Sequence, residues 1–424
     1  MFQRRAFLQR AAVAAATFGL PLAHAERLFA QDEPLPPRDL YTSDPERYWA
    51  ELRRQWLLAS DHINLNCGSI GCTPLPILRA TIDHMLSAEE FREAAYPWFG
   101  YEENTRIRDL RDSMATFLNI SRDELAILRN ATEANNVICN GLDMKPGEEA
   151  IFTDQEHPGC RGCWDQKAAR FGVKIVTVML PVPPSSDEDI VNIFERAITP
   201  RTRILVFSHI TTATGTILPV KKICAMARDK GLMTHVDGAH AAGQIPLDLH
   251  DLGCDFYASS PHKWMMSPKG TGFLYVREPL QEKLWVNVCS GSWHDYSLKA
   301  YRFENLGTSN LSVMVGLKAS LDFYATIGPD RIYSRIKQNA GRVREAVIAH
   351  PQLQFANASK DEFYAGLVSF SNTQGNLDKV AQESAKRNIR IAGGGPRIRI
   401  ATHIFTQPTD INAFADALDA GLRA

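Results

Sequence analysis

The stretch D-F-Y-A-S-S-P-H-K-W, Asp255 to Trp264, decides how the rest of the chain is read. Its first half, Asp255 to Ser259, is an apolar run of strand length, and its second half places two hydroxyls, an imidazole and a lysine directly after it. A lysine where a buried strand runs into a loop is either a solvated loop cation or a nucleophile, and its neighbours decide between the two. Working outward, Ala150 to Thr153, Lys174 to Met179, Arg203 to Ser208 and Leu232 to Asp237 are further apolar runs of strand length. Amphipathic stretches at Cys163 to Arg170, Asp189 to Ala197 and Val220 to Lys230 predict helices between them. This β-α-β spacing predicts an α/β fold built on a doubly wound, mostly parallel sheet, whose ligands gather beyond the carboxyl ends of the strands.

The strand ends supply a short list of reactive groups. Glu156-His157-Pro158-Gly159, Ser208-His209-Ile210-Thr211-Thr212, Val236-Asp237-Gly238-Ala239-His240 and Ser259-Ser260-Pro261-His262-Lys263 aim acids, histidines, hydroxyls and one lysine at a common edge. His157, His209, Asp237 and His240 are all possible metal ligands, but a metal leaves Lys263 unexplained and no compact HExxH motif is present. A Schiff-base lysine accounts for the whole set: the imine needs the lysine, a pyridine nitrogen needs a carboxylate, and a dianionic phosphate needs hydroxyls at a helix N-terminus. Asn130-Ala131-Thr132-Glu133-Ala134-Asn135 opens a helix of that kind.

From Val236 to Glu278 the sequence VDGAHAAGQIPLDLHDLGCDFYASSPHKWMMSPKGTGFLYVRE resembles the signature of class V aminotransferase-fold enzymes, of pyridoxal phosphate (PLP) fold type I. The likeness runs from about Asn64 to the C-terminus, and the HKW and PKGTGFL wording is that of the isopenicillin N epimerase-like branch. It implies that Lys263 forms the imine with pyridoxal 5'-phosphate, that Asp237 pairs with the pyridine nitrogen, and that His157 stacks on the ring with His240 beside it. It also implies that Thr132 and the amide of Ala131 bind the phosphate with Ser260 and His262. Gly307-Thr308 matches the motif by which a second subunit adds Thr308 to the same phosphate, so a homodimer is expected. Arg399 falls where the family's substrate-carboxylate arginine stands, which implies an amino acid substrate gripped in two places by a planar guanidinium.

Two departures from the family pattern stand out. Thr211-Thr212 occupies the place where relatives often carry Ser-Asn, which leaves contact of Thr212 with the cofactor's phenolic oxygen open. Ile391-Ala392-Gly393-Gly394-Gly395-Pro396 holds no cysteine where cysteine desulfurases carry their nucleophile, which argues against sulfur transfer. The cofactor alone does not name the reaction. Racemisation, transamination, elimination and decarboxylation all remain open, as does a non-catalytic PLP-fold binding module.

The N-terminus adds an expectation about compartment. Gln3-Arg4-Arg5-Ala6-Phe7-Leu8-Gln9, the apolar stretch Ala11 to Leu22 and the small-x-small triplet Ala23-His24-Ala25 read as a signal peptide of the twin-arginine kind. Removing residues 1–25 takes away Arg4, Arg5 and Arg10 and no acid, moving the formal charge from −1 to −4. The translocation machinery of that route carries folded proteins, so a cofactor acquired in the cytoplasm is compatible with a periplasmic enzyme. With this leader the chain resembles the periplasmic PLP enzymes that tailor pyoverdine siderophores. That implies oxidative decarboxylation of a glutamate on a siderophore precursor to succinamide. The alternative is an epimerase or aminotransferase acting on a free or peptide-borne amino acid.

Composition sets the outer bounds. A chain of 424 residues, 45% hydrophobic and 22% charged, can bury a large core. Its small net charge argues against a nucleic-acid partner, and no stretch of the mature chain is long enough to span a bilayer. The expected organisation is the leader 1–25, an arm and helix 26–60, a large PLP-binding domain 61–300 and a smaller α+β domain 301–424. Of eight cysteines, Cys160 and Cys163 form a single CxxC, a weak zinc signal that an exported chain permits as a structural disulfide instead. Trp98, Phe99, Tyr101 and Trp293 are candidates for lining an open substrate site or for packing at a subunit interface.

Overall fold

The structure is a computed structural model that describes residue 27 and residues 34–90, 105–357 and 361–424. The leader, Trp98, Phe99 and Tyr101 lie outside the described residues. Strands are numbered in chain order. A seven-stranded sheet contains β2 (Leu125–Leu128), β3 (Glu149–Thr153), β4 (Lys174–Val178), β5 (Thr202–Ser208), β6 (Met233–Asp237), β7 (Phe256–Ser259) and β8 (Gly272–Val276), in the spatial order β2-β8-β7-β6-β5-β3-β4. The run β7, β6, β5, β3, β4 is parallel, and β8 is antiparallel to both of its neighbours. The fold is therefore the expected α/β architecture on a mostly parallel sheet, with one reversed strand near the edge.

The strands read as unbroken apolar runs because helices cover both faces of the sheet. Along β5, Ile204 and Val206 pack with Phe152, Trp164 and Ile138 in one core, while Leu205 and Phe207 pack with Ile190, Phe194 and Ile223 in the other. The first face is covered by the helices Ala131–Gly141 and Pro158–Phe171, the second by Asp187–Ala197 and Val220–Asp229. Helix Pro158–Phe171 starts where a proline without an N–H does no harm and stops at Gly172, whose φ of 69° is left-handed.

A second sheet, antiparallel, has the order β12 (Ala392–Gly394), β13 (Arg397–Ala401), β10 (Leu367–Asn372) and β9 (Leu353–Phe355). Val368, Phe370, Ile398 and Ile400 form its core with Val343 and Val347 of helix Pro329–Ile348 and Phe414 and Leu418 of helix Pro408–Arg423. The segment after the N-terminal helix Pro45–Leu52 joins this unit. Strand β1 (Ile63–Asn64) pairs in parallel with β11 (Ile389–Arg390), Asn66 bridges to Ala401, and Leu65 is buried in the same core.

The cysteines are reduced in this structure. All eight are free thiols, and Cys160 and Cys163 lie one turn apart on a single helix, with the Cys163 thiol donating to the Cys160 carbonyl at 3.1 Å. Among the described residues no helix is long and apolar enough to cross a membrane, and no group of three or more His, Cys, Asp or Glu is arranged to hold a metal.

Candidate active site

The carboxyl ends of β3, β5, β6 and β7 converge, as the strand-end reading requires. Register places Ser208 opposite Asp237 and Asp237 opposite Ala258. After β7 the chain turns tightly, the amide of Lys263 donating to the Ser260 carbonyl at 3.0 Å. The loop Asn66–Gly71 lies against that turn, with the Gly71 amide donating to the His262 carbonyl at 3.1 Å. A Cβ at Gly71 would stand 2.1 Å from the Lys263 carbonyl oxygen, so only glycine lets the two loops close on each other.

Lys263 is partly buried, and burial pulls its ammonium down to about 8, against the attraction of Asp237 and helped by repulsion from Arg399. A fraction of the amine is thus free near neutral pH, the form that attacks a carbonyl carbon. His240 lies 3.4 Å from the Lys263 Nζ and is held neutral by its own burial.

Asp237 is 5% exposed and uses one oxygen for each of two donors: the Ala239 amide at 3.0 Å and the Asn135 side-chain amide at 3.1 Å. Asn135 is itself fixed, because its oxygen accepts from His235 Nε2 at 2.8 Å while burial keeps His235 uncharged, with a pKa pushed down to about 3. Each carboxylate oxygen keeps a lone pair for a further donor.

His157 caps helix Pro158–Phe171, its Nδ1 accepting the Gly159 amide at 3.0 Å, so its remaining proton is on Nε2. Its ring is exposed, and burial of its inner side together with the charge of Lys263 lowers its pKa. Beside it, a Cβ on Gly159 would come within 2.7 Å of the Thr132 hydroxyl, so the glycine keeps this corner open.

The buried N-terminus of helix Ala131–Gly141 faces Ser260, whose hydroxyl accepts the Ala131 amide at 2.9 Å. Thr132 is exposed at the first turn, and the His262 Nδ1 donates to the Thr271 carbonyl at 3.0 Å. Ala131, Thr132 and Ser260 thus form a cluster suited to an anion at a helix N-terminus, with His262 as a neighbouring support. Thr308 is exposed on the loop that follows Gly307, whose φ is 85°.

Arg399 projects from β13. Its guanidinium donates to the Thr212 carbonyl at 3.0 Å, the Asn66 side-chain oxygen at 3.0 Å and the Ser69 hydroxyl at 2.9 Å, while its Nε has no partner among the described residues. Thr212 meets the site here through its backbone. Asn66, Ser69, Asn135, His235 and Glu156 were assigned no role by the sequence reading. Of these, Glu156 stands in the strand-end stretch after β3 and Asn135 in the stretch that opens helix Ala131–Gly141, but neither stretch shows which partner its residue meets.

The donor set fits PLP on structural grounds: a lysine with free-amine character, a carboxylate with spare lone pairs, an anion-binding helix start and a glycine-lined corner. When bound, that cofactor supplies a carbonyl carbon for an amine and a ring that accepts electrons. Lys263 would hold the former and Asp237 the ring nitrogen, with Ala131, Thr132 and Ser260 at the phosphate.

Comparison with known proteins agrees. Residues 86–410 match the family described as Aminotransferase class-V. Isopenicillin N epimerase of Streptomyces clavuligerus is 31% identical over 393 residues, 88% of this chain and 98% of that protein. A probable cysteine desulfurase of Methanothermobacter thermautotrophicus is 30% identical over 293 residues, 66% of this chain and 71% of that one. Among solved structures, a variant of C-DES with glycine covalently linked to its PLP cofactor superposes with a TM-score of 0.76 at 24% identity, covering 87% of this chain and 99% of the other. The chain belongs to the class V aminotransferase family, and its cofactor is pyridoxal 5'-phosphate.

Proposed function

We propose that the protein acts at the α carbon of an amino acid whose free carboxylate is gripped by Arg399. The guanidinium carries the reading. It is 9% exposed, all three of its acceptors are neutral, and its Nε is unpartnered among the described residues. A buried cation without a counter-ion is unfavourable until an anion arrives, and a planar fork suits a carboxylate. Lys263, free as an amine in part, is the group at hand to take or return a proton at the α carbon.

The finer reading is that the amino acid is the glutamate of a pyoverdine precursor and that the enzyme works in the periplasm. The twin-arginine leader in front of a PLP site supports it. The net change would be loss of the α-carboxyl carbon as carbon dioxide and gain of one oxygen atom from dioxygen at the α carbon, with water as the second product and the amine nitrogen retained as an amide. Epimerisation is the second reading, supported by similarity to isopenicillin N epimerase over most of the chain.

Persulfide chemistry has less support. The strand β12, where a desulfurase would present its cysteine, is Ala392-Gly393-Gly394, and Cys67 near Arg399 is fully buried, donating to the Ala401 carbonyl at 3.3 Å. A second copy of the chain, bringing Thr308 to the phosphate end, would complete the site.

The test is to incubate purified protein with a glutamyl siderophore precursor and with free amino acids and to follow mass. Dioxygen-dependent loss of one carbon from the precursor supports tailoring. A mass-neutral inversion or a keto acid sinks it and leaves epimerase or aminotransferase. The K263A variant is expected to lose both the visible absorbance of bound cofactor and all turnover.

A further inference from the structure

Trp264 follows the lysine and is fully buried, and its indole donates to His240 Nδ1 at 3.2 Å. An indole N–H only donates, so the nitrogen it meets carries no proton. Burial first, and then the charges of Lys263, Arg399 and His157, keep the His240 ring neutral. Its one proton is therefore on Nε2, the nitrogen that lies 3.4 Å from Lys263 Nζ.

Trp264 is itself held on a frame from the other sheet. His403, just past the Arg399 strand, stacks on it at 5.7 Å with 18° between planes, and Phe405 stacks beneath at 5.2 Å and 10°. The His403 Nδ1 accepts the Ile404 amide at 2.9 Å, so its Nε2–H is the donor to the Trp264 carbonyl at 3.1 Å. Two histidine tautomers are thus set in series, and the indole has no freedom to turn from His240.

We propose that Trp264 is a positioning residue that fixes His240 as the Nε2–H tautomer, so that His240 presents a hydrogen-bond donor, and never an acceptor, to Lys263 Nζ. A donor at that atom favours its unprotonated form, because a lone pair can accept from it and an ammonium cannot. The titratable and charged groups facing His240 are Lys263 from the turn after β7, His157 from the β3 end and Arg399 from β13. The Asn66–Gly71 loop contributes Gly68, where a Cβ would stand 3.4 Å from the His240 ring. Among the described residues the contact that sets the tautomer is the one from Trp264.

The inference takes Lys263 as the residue that carries the cofactor, but the tautomer is measurable without that reading. In holoenzyme labelled with ¹⁵N-histidine, and with H240Q used for assignment, His240 is expected to show a protonated Nε2 and a bare Nδ1. A protonated Nδ1 in the wild-type protein overturns the proposal, whatever becomes of any variant. In W264F the tautomer is expected to become mixed, and the absorbance of the bound cofactor, titrated against pH, to shift its midpoint upward by roughly one unit, a tenfold change in the proton equilibrium. A glutamine amide donates without any tautomer to set, so W264F placed on H240Q should move the midpoint no further than H240Q does. A shift of the same size in both backgrounds would show that Trp264 acts through packing alone and would overturn the proposal.

Discussion

Glu156, one residue before the ring of His157, accepts the Thr153 hydroxyl at 2.5 Å and the Ser208 hydroxyl at 2.6 Å, and so ties the end of β3 to the end of β5. Burial raises its pKa to about 7 from an ordinary 4.5; the two hydroxyls oppose the rise and the charge of Asp237 adds to it. Because the folded value lies above the unfolded one, the stabilising contribution is complete below pH 4.5 and is lost as pH rises through about 7. E156Q is neutral throughout. Its melting temperature relative to wild type is expected to climb between pH 4.5 and 7 and to level off above, whereas a difference that ignores pH would show the carboxyl to be ionised in the fold. At this scale Lys263 and Asp237 were legible because each stands at the end of its own apolar run. Asn66, Ser69 and Asn135 were not, because their meaning lies in partners brought together from distant segments: Asn66 and Arg399 are 333 positions apart.

Among the elements, the parallel strands and their covering helices were legible because each apolar run is bounded by a turn and followed by an amphipathic helix. Leu125–Leu128 and Gly272–Val276 were not read as strands. The first is only four residues long, and both are buried throughout, so neither shows alternation, while strand direction leaves no trace in periodicity. The turn after β6 makes a sharper demand. A Cβ at Gly238 would stand 2.0 Å from the Tyr257 ring, and Tyr257 is pinned through its hydroxyl to His209 Nδ1 at 2.9 Å. The ring has nowhere to move without opening the β6 end that carries Asp237 and His240. G238A is therefore expected to cost about 3 kcal/mol in denaturant unfolding and to weaken retention of PLP. Full stability in G238A would mean that Tyr257 has a second resting place.

For the whole molecule, the exposed Thr308 loop and the cluster at Ala131, Thr132 and Ser260 pose the question of assembly. If a second copy completes the phosphate site, T308A should leave the sedimentation of the dimer and the unfolding of the cofactor-free protein unchanged while weakening PLP binding about tenfold, the worth of one hydrogen bond to a charged group. Equal PLP affinity in T308A and wild type would remove Thr308 from the site. The expected α+β character of residues 301–424 left open the antiparallel order of its sheet, whose strands are short. Nor did the sequence show that β1 and Asn66 leave the large sheet to pair with β11 and Ala401. That stitch has a consequence for how the protein is made. The loop that orients Arg399 is among the first described segments to emerge from the ribosome, and its partners are among the last. The large sheet can be complete while the carboxylate grip is still missing, so pairing of the two ends is the closing event of folding, and one that long-range contact makes slow. A chain stopped short of Arg399 would carry its lysine and have no arginine to bring a substrate to it.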